Sequence, residues 1–328
     1  MINRKYLLRR LLLMSLSLFI VATVLFFLFR LVPGGPTAHL VGTGVPPEIQ
    51  EQIRENYGLD EPLWKQYLLY ISNLLQGEFG RSFYYNRPVI DIISDRFYNT
   101  IVLMVSAIIL AYTVGTYVGA QLAWIRGTGM ERKGMVVVLF FRSMPVFWTG
   151  ILLLYIFAFQ LDLFPLGGLR SVDAEYSTQL GKFLSPDFFH HLVLPMMSIA
   201  IFYVGFPILL MRSNMLEVLT ENFVFTARAK GVAERRVMLH HAARNAMLPI
   251  VTALGIEFGF AIGGQVLIET VFSWPGLGRE MVDASLRNDY PVAQGTFLLL
   301  SVMVIMMNFL ADLAYSYLDP RVELDQGE

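Results

Sequence analysis

The chain has 328 residues, 55% of them hydrophobic and only 16% charged, with a mean hydropathy of +0.54, which is too apolar for a soluble domain of this length. A formal net charge of -1 gives no reason to expect nucleic acid or acidic ligands, and the absence of cysteine excludes disulfides, thiol nucleophiles and thiolate metal sites. Several apolar runs reach the roughly 20 residues that a helix needs to cross the hydrocarbon core, and they do not alternate as barrel strands do. The fold class they predict is all-α, a polytopic membrane protein.

The first apolar run, residues 11–32, follows Arg4, Lys5, Arg9 and Arg10. It is longer than the apolar region of a signal peptide, and Pro33-Gly34-Gly35-Pro36 follows it where a cleavage site would need small residues, so it reads as a retained span. In the segment after it, helical patterns occur at Pro46 to Tyr57 and Leu63 to Leu75; the Pro-Pro start suits a helix amino terminus and Gly58 suits its end. Trp64, Tyr67 and Tyr70 fall at i, i+3 and i+6, an aromatic stripe that either rests at the headgroup level or packs on other external segments. Further spans are predicted at 99–123, 135–161, 190–212, 248–268 and 295–317, making six in all.

This divides the chain into 1–98, a first span plus an external helical segment; 99–317, the membrane core with a cytosolic loop at 213–246; and a tail at 318–328. Segments 1–10, 124–134, 212–246 and 318–328 together hold fourteen Arg and Lys in about 67 residues, against nine in about 120 on the other side. That asymmetry follows the positive-inside rule and places both termini in the cytosol.

Ionisable residues inside spans are costly and must face a partner, a cavity or water. Glu257, near the middle of the fifth span, is therefore a candidate for lining a translocation pathway, or else for a structural pair inside the bundle. Asp312, about one turn from the end of the sixth span, reads as structural or interfacial, and Arg142 as marking the edge of the third. Gly255, Gly259, Gly263 and Gly264 put small residues down one side of the fifth span, for contact with a second membrane subunit or for packing within this one.

Catalytic and metal chemistry find little support. His190-His191 and His240-His241 are adjacent pairs whose rings diverge on a helix, no HExxH string occurs, and no Ser sits in a nucleophile-elbow context. No catalytic or metal residue is assigned, which leaves an intramembrane hydrolase as a remote alternative. Gly127-Thr128-Gly129 lacks both the Lys and the preceding strand of a phosphate loop, so ATP would have to be hydrolysed elsewhere.

The polar, basic island from Glu217 to Pro249 lies between two apolar segments. Met215 to Lys230 favours helix, and Gly231 follows where a left-handed residue would end it. Glu217, Glu221 and Arg228 then share one stripe and Leu219, Phe223 and Ala227 another. A second helix is predicted from Ala233 to Ala246, leading into Leu248-Pro249. Such a pair is either a docking element for a soluble partner or an amphipathic loop on the lipid surface.

Thr226-Ala227-Arg228-Ala229-Lys230-Gly231, His241-Ala242-Ala243-Arg244-Asn245-Ala246 and Leu248-Pro249 resemble the cytoplasmic signature of the dipeptide, oligopeptide and nickel permeases of ATP-binding-cassette (ABC) importers. Phe225 stands where the general pattern has Glu, and 18 rather than 13 positions separate Gly231 from Pro249, a spacing that resembles the peptide subfamily. Other landmarks follow in order: Pro33-Gly34; Gly58-Leu59-Asp60 with Pro62, Gln66 and Tyr67; Gly77-Glu78-Phe79-Gly80 with Ser82; Glu269 to Gly278, including Pro275 and Gly276, as an external loop; Asp289-Tyr290-Pro291; Asp312, Tyr315 and Asp319-Pro320-Arg321.

The resemblance implies a type I ABC importer permease fold and a multi-pass protein of the plasma or inner membrane. It implies a transport subunit and not an enzyme, with no cofactor in this chain and with ATP and Mg bound by partner ATPase subunits. Its partners would be a second homologous permease, two ABC ATPases, an extracellular or periplasmic substrate-binding protein and lipid. It also implies that Phe225, Thr226, Ala227, Arg228 and Gly231 are ATPase-coupling positions, and that the substrates are peptides, with nickel complexes, glutathione or oligosaccharides as alternatives.

Overall fold

The structure is a computed structural model. It describes residues 4–31, 60–171, 181, 183–261 and 265–318, with side chains described for 7–31, through 255, at 257 and from 265 to 310 within the flanking ranges. The helix predicted at Pro46 to Tyr57, the motifs Pro33-Gly34 and Gly58-Leu59, the side chains of Gly259, Gly263, Gly264, Asp312 and Tyr315, and the tail from Asp319 lie outside these. The described residues are helical throughout, with one isolated bridge between Arg81 and Pro88 and no strand.

Two compact units emerge, one comprising residues 1–100, 262–266 and 275–328, the other 101–261 and 267–274. In the first unit, α1 (Arg4–Arg30) lies along α13 (Tyr290–Leu318), where Phe29 meets the rings of Tyr290 and Phe297. The helix α2 (Leu63–Leu75) occupies the range expected from its pattern. Its aromatic stripe divides: Tyr67 and Tyr70 set their rings 5.2 and 5.5 Å from Phe26 of α1, and the Tyr67 hydroxyl lies 2.8 Å from that of Thr23, while Trp64 stays 66% exposed. Packing within the protein accounts for two of the three rings.

α12 (Leu277–Leu286) packs on α13 in the same unit. Here the buried Asp289 carboxylate gathers the 82–85 turn. It accepts from the Ser82 hydroxyl and from the backbone N–H groups of Phe83 (3.0 Å) and Tyr84 (3.2 Å), the kind of multiple donation that makes a buried carboxylate tolerable. Nearby, Arg96 Nε donates to the buried Glu280 at 2.9 Å, and Asn99 and Thr100 bond the backbone of Pro275 and Leu277.

The helix α3 (Val89–Trp124) starts ten residues before the predicted span and runs unbroken for 36 residues. In the second unit it packs against α7 (Gly205–Val218) through two glycines one turn apart. A Cβ at Gly115 would lie 2.6 Å from Pro207 Cγ, and one at Gly119 would lie 2.5 Å from the Ile208 carbonyl oxygen and 2.8 Å from Met211 Cβ. This is the small-xxx-small contact that lets two backbones approach where lipid supplies no hydrophobic drive. The motif Gly115-Thr116-Tyr117-Val118-Gly119 is visible in the sequence, but the expected glycine stripe was placed on the fifth span.

The third and fourth predicted spans are not straight. The third consists of α4 (Gly129–Ser143) and α5 (Val146–Gln160, π-helical from Leu154), which meet at 98°. Pro145 has no N–H to continue the ladder, and its ring forces Met144 into an extended conformation (φ -76, ψ 136). The fourth bends by 43° between α6 (Pro186–Tyr203) and α7, where Pro207 again removes a donor and Gly205 lets the Arg142 side chain lie close across it. Gly127-Thr128-Gly129 is a helix start: the Thr128 hydroxyl caps the Glu131 N–H, and Glu131 accepts from the Gly127 N–H and from Arg212 of α7 (Nε at 2.9 Å).

Among the described residues three helices are long and apolar enough to cross a membrane, Leu7–Arg30, Val89–Trp124 and Tyr290–Leu310, or five if each bent pair is one span. The fifth predicted span begins as α10 (Leu248–Ala261), and after residues outside the description the chain resumes as α11 (Val266–Val271). The core of the second unit joins Leu103, Met104, Ile108, Met211, Met215, Phe272 and Trp274.

Gly119→Ala is expected to cost about 1–3 kcal/mol through overpacking, and Gly119→Leu more. Gly255→Ala adds its methyl where no described heavy atom lies within 4 Å and should leave stability unchanged or raise it. Thermal unfolding of the purified protein, followed by circular dichroism, checks the pair; equal melting for Gly119→Ala and the parent would refute the close-contact reading.

Candidate functional site

The basic island folds as two short helices, but not with the predicted limits. The expected helix from Met215 to Lys230 breaks: α7 ends at Val218, residues 219–221 turn, and α8 spans Asn222–Ala229 with Glu221 extended at its start (φ -77, ψ 144). The break separates the predicted stripes, leaving Glu217 on α7, Glu221 before α8, and Phe223 40% exposed while Leu219 and Ala227 are buried. Leu219 stays on the buried face that Met211 and Met215 begin, and the chain leaves the helix at Thr220 and Glu221.

Gly231 ends α8 as expected, at φ +74. Its N–H donates to the Arg228 carbonyl (2.9 Å) and the Val232 N–H to the Ala227 carbonyl (3.2 Å), the two reciprocal bonds of a Schellman cap. Val232 then packs on the core cluster that contains Ala227. The second helix, α9, runs over residues 234–246 as Glu234–Arg236, a π-helical Val237–Ala243 and Arg244–Ala246. Its inner side is Val237, Met238, Ala242, Ala243 and Ala246, and Asn214 of α7 bonds the Ala246 carbonyl at 3.3 Å. α10 follows at once, with Pro249 in its first turn, where a missing N–H costs nothing.

The five positions expected to couple thus divide. Val224 and Ala227, three apart, face the core, so Ala227 anchors the helix. Phe225 is 54% exposed and Thr226 is exposed, its hydroxyl bonded back to the Asn222 carbonyl. Lys230, Arg235 and Arg236 are exposed as well. Gly231 makes the turn. Arg228 places Nε 3.3 Å from Glu234 Oε1 and its guanidinium over the Trp124 ring, 5.1 Å from the centroid. Trp124 was not among the expected site residues; a lone aromatic at the end of an apolar run reads as a membrane-interface anchor. An exposed aromatic on a helix held from behind suits protein docking and offers no nucleophile or acid–base pair.

Elsewhere, Glu257 is partly exposed on α10, and the Tyr112 hydroxyl is buried with no hydrogen-bond partner among the described residues. In the expected external loop, Glu269 is fully buried on α11 and its carbonyl accepts from the Trp274 N–H. Pro275 offers its carbonyl to Asn99, Gly276 precedes α12 in an extended conformation, and Gly278 is buried in the first turn of that helix. His190 and His191 each bond a backbone carbonyl, of Leu163 and Asp187.

Unbroken and bent apolar helices with a short polar helix pair are also what an ABC importer permease fold contains. A chain of the MetNI methionine ABC transporter, from a structure of its inward-facing conformations, shares the fold at a TM-score of 0.53 and 16% identity, over 69% of this chain and 96% of that one. Residues 126–324 match the family model described as binding-protein-dependent transport system inner membrane component, and residues 3–104 match the model of its N-terminal region. The chain is 39% identical over 317 residues to a protein of Sinorhizobium fredii named as a probable peptide ABC transporter permease, covering 97% of this chain and 98% of that one. It is 38% identical over 336 residues to the dipeptide transport system permease protein of Escherichia coli, with the same coverage. The chain belongs to the family of binding-protein-dependent transport system inner membrane components. It is a multi-pass protein of the plasma membrane and a transport component of an ABC importer, which works with other subunits.

Gly231→Val forces a β-branched residue into the left-handed region and should loosen the end of α8 by about 1–2 kcal/mol, whereas Gly231→Asn, which tolerates that region, should cost much less. Amide exchange at residues 231 and 232 distinguishes them, and equal protection in both variants would contradict the Schellman cap.

Proposed function

We propose that this chain is the permease subunit of an ATP-driven importer of di- or oligopeptides, forming the pathway with a second homologous permease. Two ABC ATPases bind ATP and Mg, and an external binding protein delivers the solute. The chain crosses the membrane six times with both termini in the cytosol, and α8–α9 hangs on the cytosolic side as the coupling element. The observation that carries this reading is the outward face of α8: Phe225 and Thr226 stand exposed, while Val224 and Ala227 hold the helix from behind.

Closure of the ATPase dimer on ATP favours one of two arrangements of the membrane helices, and the hook carries that preference to them. Phe225 and Thr226 make the docking contact, Arg228 and Ala227 fix the helix behind it, and Gly231 sets its length. Glu257 lines the pathway; a carboxylate at that depth suits a polar solute with an amino group, which peptides share.

In the purified complex, the ATPase rate should rise when the loaded binding protein is added, and mass spectrometry should find a di- or oligopeptide in that binding protein. Phe225→Asp should weaken retention of the ATPases by tens of fold, as loss of an interface anchor worth about 2 kcal/mol does. A nickel complex or a sugar in the binding protein would overturn the peptide assignment, and undiminished ATPase retention in Phe225→Asp would overturn the docking face.

A further inference from the structure

We propose that Trp124, in the last turn of α3, is the residue through which the α8–α9 hook moves the helices behind it. The inference deepens the proposed function and rests on α8–α9 being the element that engages the ATPases.

Three elements meet at one charge. The Arg228 guanidinium on α8 lies over the Trp124 indole at 5.1 Å, and the same group reaches Glu234 at the start of α9, with Nε 3.3 Å from Oε1 and a second nitrogen 3.4 Å from Oε2. α8 is also held by Val224 and Ala227, which face the core, but apolar contact of that kind does not fix direction. A cation over a ring face is directional, and Glu234 sets the guanidinium from the far side. A displacement of the hook along the surface therefore acts on the indole before it acts on anything else in α3.

Trp124 is placed to pass that displacement on. It is half-buried and packs on the core cluster that includes Met211, Met215 and Leu219. It ends a single helix of 36 residues, about 54 Å at 1.5 Å per residue. One turn and a residue earlier, Gly119 is seated against Ile208 and Met211 of α7 with no room for a methyl group. The turn that follows is also held, because Glu131 accepts from the Gly127 N–H and from Arg212 of α7. The end of α3, the start of α4 and α7 are tied to one another, so the indole cannot shift without them. Trp124 is a positioning residue and touches no solute.

The test uses the assembled transporter in proteoliposomes, with the binding protein and tritiated dialanine on one face and MgATP on the other. The readout is dialanine imported per ATP hydrolysed. Trp124→Leu should leave basal hydrolysis unchanged and lower that ratio at least about fivefold. Trp124→Phe keeps a ring face for the cation and should recover most of it. The chain has no cysteine, so the double variant Trp124→Cys, Arg228→Cys can be bridged cleanly by a short bismaleimide. Unbridged it should import as little dialanine per ATP as Trp124→Leu, and bridging should restore import.

An unchanged ratio in Trp124→Leu overturns the inference, as does a Phe variant no better than Leu, or a bridge that restores nothing. Should the Leu variant not assemble, the Phe and bridged variants decide by the same ratio. A parent complex that ignores the binding protein and imports no dialanine overturns the functional reading, and this inference with it.

Discussion

In hydrocarbon a backbone can satisfy its N–H and C=O groups only within a helix, and that constraint decides where this chain is allowed to bend. The apolar segments break where a proline has already removed a donor: at Met144-Pro145, at Val204 to Pro207, and at Met247 to Pro249. At the first two the axis turns by 98° and 43°. The third directly follows the hook.

The second theme is closeness. α3 and α7 touch backbone to side chain at Gly115 and Gly119, and the hook presents mostly alanines to the core, Ala227, Ala242, Ala243 and Ala246. Small residues let helices approach until their positions are mutually determined, and a set of helices so fitted has discrete arrangements instead of a continuum. That property makes a transport cycle driven by a distant reaction possible. The bulkier, directional groups, Arg228 with Trp124 and Arg212 with Glu131, sit at the edges of this packing and give it orientation.

What could be read from one sequence and what could not divides along physical lines. Helix class, the range Leu63–Leu75 and the turn at Gly231 were legible because hydropathy, turn chemistry and local periodicity act within a few residues. The bend at Pro145 was hidden inside a run whose average hydropathy gives no sign of an axis change. The break at residues 219–221 has no Gly or Pro to announce it. Contacts such as Ser82 with Asp289, 207 residues apart, or Arg228 with Trp124, join segments whose meeting no local pattern encodes. The glycine pair at 115 and 119 was written plainly in the chain, yet a GxxxG string does not say which helix it will meet.

Those two glycines also bear on how this gene can change. Every single-base missense change at a glycine codon installs a side chain with at least a Cβ, and at both positions that atom would collide with α7. Neither position has a mild allele one step away. A lineage that moved off glycine here would have to shift the α7 backbone at Val204 and Ile208 as well as the side chains of Pro207 and Met211, which makes this short stretch a place where the two helices can drift only as a pair.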